Sequence, residues 1–516
     1  MMQNKDNMNI PNIPKEKFEF APRGEKIHDR KLETKPIGYF KDAWIRFRKN
    51  KSSVTAACII IILVIFAIIV PVLSPYTVED RDGYYKTVLP KCDLVAPLGF
   101  WDGTSKRTDS KAGYLYYNSI GVESGFDAVV GEPKVTTDAE GNEAYEFKLD
   151  SYNKVGYVYL NLTEDEYNAL KAYQDENKIQ LMYPIPNNYK TNYTIGNAGA
   201  NFWYKLKNEK ATSTGEPILD KEGNYIPDYK TSSNKEYGKY DSEMRIAGDD
   251  GENGKWYVYA IKNQTGYKVR VLYREYYTYM NGHEPTFLFG TNAYGQDIFT
   301  CLAAGARLSF LLAIFVSAIN LTIGAIYGSI EGYYGGATDI IMERISDILA
   351  SVPFIVVVTL FKLHLSEKVG MLPSLLFAYV MTGWVGMASR VRLQFYRFKG
   401  QEYILAARTL GAKDGRLMFK HIFPNSIGTI ITGAVLTIPG VIFSESTLSY
   451  LGIINLQTSS LTSVGTLLSQ GQGYLREYPH IILFPAIFIS LLEISFNLFG
   501  NGLRDAFNPS LRGVEE

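Results

Sequence analysis

Two carboxylates stand in apolar surroundings where a charge is expensive: Glu445, and Glu493 four residues before Asn497. A carboxylate so placed must be hydrogen-bonded, paired, hydrated or neutral. Glu445 is expected to accept hydrogen bonds from nearby backbone where the chain turns back. For Glu493 three roles are open: a polar contact with a neighbouring helix or chain, support of Asn497 one turn away, or attraction of a passing amino group. Chemistry that makes and breaks bonds has no visible carrier. There is no Gly-x-x-x-x-Gly-Lys-Ser/Thr phosphate loop, no nucleophile elbow and no His-Glu-x-x-His. The chain is therefore expected to be no enzyme and to hold no cofactor or metal. Cys58, Cys92 and Cys301 give neither a disulfide framework nor metal spacing, and a bridge between Cys92 and Cys301 stays open.

A second cluster lies in the loop 398–424. Residues 390 to 424 carry Arg390, Arg392, Arg397, Lys399, Arg408, Lys413, Arg416 and Lys420 against only Glu402 and Asp414. Within it Ala406 and Ala407 are small enough for a partner surface to approach closely. Ala-Ala-Arg-x-Leu favours helix. Gly411 can end that helix in a left-handed conformation, and Pro424 is read as the stop of a second one.

These residues need apolar elements to position them, and the sequence supplies them. Six runs suit a bilayer: 54–73, 308–330, 348–361, 371–389, 427–443 and 481–492, with Pro353 an expected kink. About fifty polar and charged residues precede the first run, so it reads as an anchor and not a cleaved signal. Lys41, Arg46, Arg48, Lys49 and Lys51 precede it, whereas Glu79, Asp80, Arg81 and Asp82 follow. The basic side is the cytosolic one. Six passes from a cytosolic N-terminus put residues 390–424 and the C-terminus, with Arg504 and Arg512, inside as well.

Residues 1–52 read as a cytosolic tail ending in an amphipathic segment, with Phe40, Trp44 and Phe47 at interfacial spacing or packed beside the membrane. Residues 53–76 hold the first span. Residues 77–286 are polar and rich in tyrosine. Alternation in Tyr145-Glu-Phe147-Lys-Leu149, Val155 to Leu160, Trp256 to Ala260 and Tyr267 to Tyr273 predicts half-buried strands. Thr163 and Glu166 form a capping-box signal for a helix over 164–176. The expectation is an independent α+β domain on the outer face, its tyrosines mostly core and strand residues. Residues 287–516 hold the other five spans.

The loop resembles the signature of ABC-importer permeases: Glu-Ala-Ala, three residues, Gly, nine residues, Ile-x-Leu-Pro. Ala406, Ala407, Gly411 and Pro424 match at the family spacing, while Leu405, His421 and Phe423 depart from it. Further segments resemble the C-type subunit of dipeptide and oligopeptide importers. They are Leu288-Phe-Gly290-Thr291-Asn292 to Asp297, Gly305-Ala-Arg307-Leu-Ser309, and Gly332-Tyr333-Tyr334-Gly335-Gly336 with Asp339. Glu445 to Gly452 and Asn497 to Asp505 complete them. The likeness covers about 40–76 and 288–512, and leaves 77–286 as an insertion.

The resemblance implies a mostly α-helical integral membrane protein. Six transmembrane helices of the type I ABC importer permease fold would carry the inserted α+β extracellular domain. It implies a multi-pass protein of the bacterial plasma membrane that forms half of a pore for peptides. A sister permease, two cytosolic ATP-binding subunits and an extracellular solute-binding protein would be partners. ATP and magnesium would belong to those partners; membrane lipid surrounds the chain, and no nucleic acid is expected. Import of nickel chelates or another small solute is the near alternative. A membrane-anchored receptor or adhesion protein is the distant one, and six spans with a basic Ala-Ala-x-x-x-Gly loop argue against it. A secondary transporter would want inverted repeats, and none is visible.

Overall fold

The computed structural model describes residues 38–137, 141, 143–183, 185, 221, 260–262 and 264–507. The tail before Gly38, the expected strand residues Trp256 to Tyr259, and Arg512 lie outside the described residues.

Helix α1 (Tyr39–Lys49) and helix α2 (Lys51–Leu73) are separated by Asn50 alone. The Asn50 side chain accepts from Ser53 N and so caps α2. On α1, Phe47 is buried against Ala506 and Phe499, whereas Phe40 and Trp44 are exposed. The segment thus packs through Ala43 and Phe47 and leaves Phe40 and Trp44 on its other face.

The chain then leaves the bundle. Strand β1 (Thr104–Ser110), helix α3 (Lys111–Ser124), strand β2 (Val129–Thr137) and strand β3 (Glu143–Asp150) come first. Strand β4 (Tyr157–Leu162), helix α4 (Glu164–Asn177) and the short strand β5 (Met182–Tyr183) follow. Strand β6 (Ala260–Lys262), strand β7 (Tyr267–Leu272) and helix α5 (Tyr273–Asn281) bring the chain back. One sheet has the order β1-β3-β2; in the other, β7 pairs with β4, β5 and β6, all antiparallel. Both halves of the Thr163–Glu166 capping box are present at α4. Buried Arg270 on β7 donates to both oxygens of Glu123 on α3 at 2.8 and 2.7 Å, which fastens the two sheets together.

The core of this region is aromatic: Tyr85, Tyr152, Tyr167 and Tyr277 pack with Val88, Val269 and Val271. Tyr76 and Phe287 belong to that core, so it reaches past the expected limits of 77 and 286. The Tyr76 hydroxyl donates to Thr286 O at 2.9 Å and accepts from Thr286 N at 3.0 Å, so entry and exit of the region touch. Cys58, Cys92 and Cys301 are all free thiols, which removes the Cys92–Cys301 bridge.

Helix α6 (Ile298–Tyr334) opens the bundle again, capped by Asp297. Helix α7 (Gly336–Ser351) and helix α8 (Phe354–Val369) meet at a 73° bend. Pro353, which lacks a donor, sits at the break as expected. Helix α9 (Met371–Gly383) and helix α10 (Val385–Lys399) run on through Trp384. Helix α11 (Glu402–Thr409) and helix α12 (Phe423–Tyr450) flank the loop turn. Helix α13 (Val464–Gly471) and helix α14 (His480–Phe507) close the described chain. Among the described residues, five helices are long and apolar enough to cross a membrane, and the bent α7–α8 pair meets the same measure together.

Helices α6 and α10 pack especially closely. A Cβ on Gly328 would come within 2.1 Å of Ala388 O, so only glycine permits this approach. The bundle core is formed by Phe310, Val357, Leu375, Ile442, Leu448 and Leu492. It has a sheet end, where α2 finishes and α6 begins, and a loop end, which carries residues 398–424.

Candidate functional site

The loop is built on a closed helical turn. Gly411 has φ +84°, the left-handed conformation expected of it. Ala412 N donates to Ala407 O at 3.1 Å and Gly411 N to Arg408 O at 3.0 Å. That pair of bonds is a Schellman closure, with Ala407 and Ala412 in its small apolar contact. Ala407 is half-buried there, whereas Ala406, Gly411 and Pro424 are exposed.

Pro424 does not end a helix. It lies in the first turn of α12, directly after a π-helical turn over Leu417–Ile422. The wider i→i+5 turn accommodates the residue that lacks an N–H, so the chain continues from Asp414 to Tyr450 without a stop.

Two sets of side chains divide the loop. Ile404, Leu417 and Ile422 are fully buried and clip it onto Phe395 and Val391 of α10. Leu405, Leu410 and Phe419 project outward, with Leu410 88 % exposed. Polar bonds fix the loop to α6: the Tyr333 hydroxyl donates to Asp414 Oδ1 at 2.6 Å and accepts from Arg408 Nη2 at 3.1 Å. Lys399 Nζ donates to Gly332 O at 2.9 Å. Beside them Arg392 on α10 reaches α7, bonding Asp339 at 2.6 and 2.9 Å and Glu343 at 2.9 and 3.0 Å. The loop is thus held to α6 and α10, with α10 in turn tied to α7 by Arg392, while an apolar and cationic face is left free.

Sequence reasoning missed Tyr333 and Asp414 as a pair. The available signals were the tyrosines between glycines at 332–336 and the scarcity of acids in the loop.

The carboxylates lie elsewhere. Glu445, toward the sheet end of α12, is fully buried. Its partners are serine hydroxyls and not the expected backbone. Ser463 Oγ donates at 2.7 Å and Ser449 Oγ at 2.9 Å, with Ser309 Oγ at 3.4 Å and Ser446 Oγ at 3.5 Å farther off. The hydroxyls come from α6, α12 and the cap of α13, so one carboxylate ties three helices together. On α14, Asn497 Nδ2 donates to the main-chain oxygen of Glu493 at 2.9 Å and not to its carboxylate. Glu493 Oε1 is buried without a hydrogen-bond partner among the described residues.

The latch at the sheet end is a further set. Thr291 Oγ1 donates to Tyr85 O at 2.6 Å and accepts from Val88 N at 2.8 Å. The Gly290-Thr291-Asn292 segment therefore sews the root of the inserted region to the start of α6.

Two family models match the chain. One describes the N-terminal TM domain of oligopeptide transport permease C and matches residues 38–96. The other describes a binding-protein-dependent transport system inner membrane component and matches residues 320–513. The oligopeptide transport system permease protein OppC of Bacillus subtilis is 46% identical over 224 residues, 43% of this chain and 72% of that protein.

The chain belongs to the oligopeptide and dipeptide permease family.

The dipeptide transport system permease protein DppC of Bacillus subtilis is 41% identical over 225 residues, 43% of this chain and 69% of that one. OppC of Escherichia coli K12 is 35% identical over 225 residues, 43% of this chain and 72% of that one. A solved structure of the MetNI methionine ABC transporter in an inward-facing conformation aligns over 40% of this chain and 96% of its own, with 16% identity and a TM-score of 0.35. The chain is accordingly an ABC-importer permease subunit with several helices able to span a membrane. Residues 97–319 lie outside both family matches.

Proposed function

We propose that this chain forms half of a pore that imports oligopeptides or dipeptides across a bacterial plasma membrane. ATP is hydrolysed, with magnesium, by two cytosolic ATP-binding subunits. A sister permease completes the pore, and an extracellular solute-binding protein delivers the peptide. The chain crosses the bilayer six times, the bent α7–α8 pair counting as one pass. Its N- and C-termini are cytosolic, residues 77–286 are extracellular, and 398–424 is the coupling loop. The relatives' names support the substrate class. The excess of basic residues at the loop end supports the orientation.

The observation that carries the coupling role is the division of the loop. Ile404, Leu417 and Ile422 anchor it, while Leu405, Leu410 and Phe419 project into open space beside the small Ala406. A cleft on an ATPase that takes a short helix needs such a face. The test is Leu410→Asp in the assembled complex in proteoliposomes. Assembly is expected to persist, and stimulation of ATP hydrolysis by peptide-loaded receptor is expected to vanish together with uptake. Normal peptide uptake by this variant overturns the coupling role.

A further inference from the structure

Residues 92–101 form a finger at the sheet end. Its base is closed by the Lys91–Asp102 bridge, by Cys92 N donating to Trp101 O at 2.8 Å and by Gly103 N donating to Pro90 O at 3.1 Å. From Leu94 to Trp101 the finger carries no charge, although Asp93 and Asp102 flank it in a region otherwise dense in charge. Leu94 is 90 % exposed, Leu98 73 % and Phe100 70 %. Contiguous apolar display on this scale marks a contact surface.

The finger is aimed, not loose. Trp101 has φ +51°, a conformation that a bulky side chain adopts only when its surroundings impose it. What imposes it is the bonded base and a row of rings. The Trp101 ring lies 6.0 Å from Phe289 and 5.7 Å from Phe484, and those two stack face to face at 4.0 Å. The row continues from Phe289 to Phe299 at 5.0 Å and from Phe299 to Phe66 at 5.2 Å. It therefore runs from the finger down into the apolar helices α6, α14 and α2. Beside it Ile69, Leu483 and Ile487 are exposed on those helices.

We infer that this finger is seated in the lipid bilayer, in the leaflet at the sheet end, with Leu94, Leu98 and Phe100 among acyl chains and Trp101 at the headgroup level. The exposed apolar surface of α2 and α14 is a lipid-facing belt, and the finger continues it through the ring row. Tryptophan is enriched where such a belt meets the headgroups, because its ring is apolar at one end and polar at the other. The seated finger fixes the tilt of the inserted region over the membrane, since the Lys91–Asp102 base is bonded to that region through Lys91 and Asp150 at 3.9 Å.

The test is photo-crosslinking of the assembled complex in vesicles of phosphatidylethanolamine and phosphatidylglycerol. A diazirine-bearing phenylalanine analogue replaces Phe100, and the same analogue at Lys106, exposed on β1, is the reference. Mass spectrometry is expected to find phospholipid adducts at position 100 several times more abundant than at position 106. If the Phe100 variant fails to assemble, the analogue at Leu94 is read in the same way. Adducts to the sister permease or to the solute-binding protein, or quenching by water alone, overturn the inference.

Discussion

The Tyr333 hydroxyl donates to Asp414 Oδ1 at 2.6 Å, which joins the last turn of α6 to the second half of the loop. Arg408 Nη2, from the first half, donates to the same hydroxyl at 3.1 Å. One oxygen thereby sets the position of both halves against a long helix of the bundle. Tyr333→Phe removes it and leaves the ring in place. The loop is expected to lose about 1–2 kcal/mol of local order. Peptide transported per ATP hydrolysed should fall severalfold while the complex still purifies intact. A ratio equal to that of the unmodified complex would show that the bond only decorates the loop.

Gly411 carries the left-handed closure at φ +84°. Proline cannot reach that φ and also lacks the N–H that donates to Arg408 O. Gly411→Pro is expected to leave the complex assembled and to abolish ATPase stimulation by loaded receptor. Gly411→Ala, strained by about 1 kcal/mol, should fall between the two. Uptake assays on both variants check the order, and normal transport by the proline variant removes the coupling role of the loop.

Glu445 faces serine hydroxyls from α6, α12 and α13. Glu445→Ala strands those hydroxyls around a cavity and is expected to cost about 2–4 kcal/mol. Glu445→Gln keeps one carbonyl acceptor and should cost about 1 kcal/mol. Thermal melting in detergent reads both, and a glutamine variant less stable than the alanine variant contradicts the serine-cage account.

Glu493 has a buried carboxylate oxygen with no hydrogen-bond partner among the described residues. Glu493→Gln keeps the shape and removes the charge. If the carboxylate meets another chain or a polar helix face, import of free-amine and N-blocked peptides should stay near normal. If it attracts a peptide amino group, only the free-amine class should weaken. Competition uptake with paired peptides separates the two roles, and equal losses in both classes exclude the charge role.

Asp297, the cap of α6, is pushed up from 3.8 to about 6 by burial, against the opposing hydrogen bonds from Thr300. A carboxyl raised on folding contributes stability that is full below its unfolded value and is lost as pH rises through about 6. The melting temperature should therefore fall between pH 4 and pH 6 by more in the unmodified chain than in Asp297→Asn, which caps equally well without titrating. Equal pH dependence in the two proteins would show that Asp297 does not titrate in this window.

What could be read in the sequence followed the strength of the local rule. Gly411, the Pro353 break, the Thr163–Glu166 box and strand β3 were legible because each depends on a few adjacent residues. Strands β1 and β2 were not, since they are mostly exposed and show no apolar alternation. Pro424 misled because a proline stop assumes an α-helical ladder, and the π turn before it satisfies a different one. The partners of Glu445 were hidden for another reason: Ser309 lies 136 positions away along the chain, and nothing in a lone serine announces a carboxylate.

The Tyr76–Thr286 contact has a consequence for how such a chain changes over generations. Two hydrogen bonds between one tyrosine oxygen and one threonine backbone bring departure and return together, beside the Thr291 latch and the Trp101 ring contacts. The cost of closing a loop grows only slowly with its length once its ends are fixed together. The sheets beyond those contacts can therefore be lengthened, trimmed or exchanged as a cassette, provided Tyr85, Val88 and Trp101 stay in place. The helices beneath would register little more than a different cargo on the same pair of pegs.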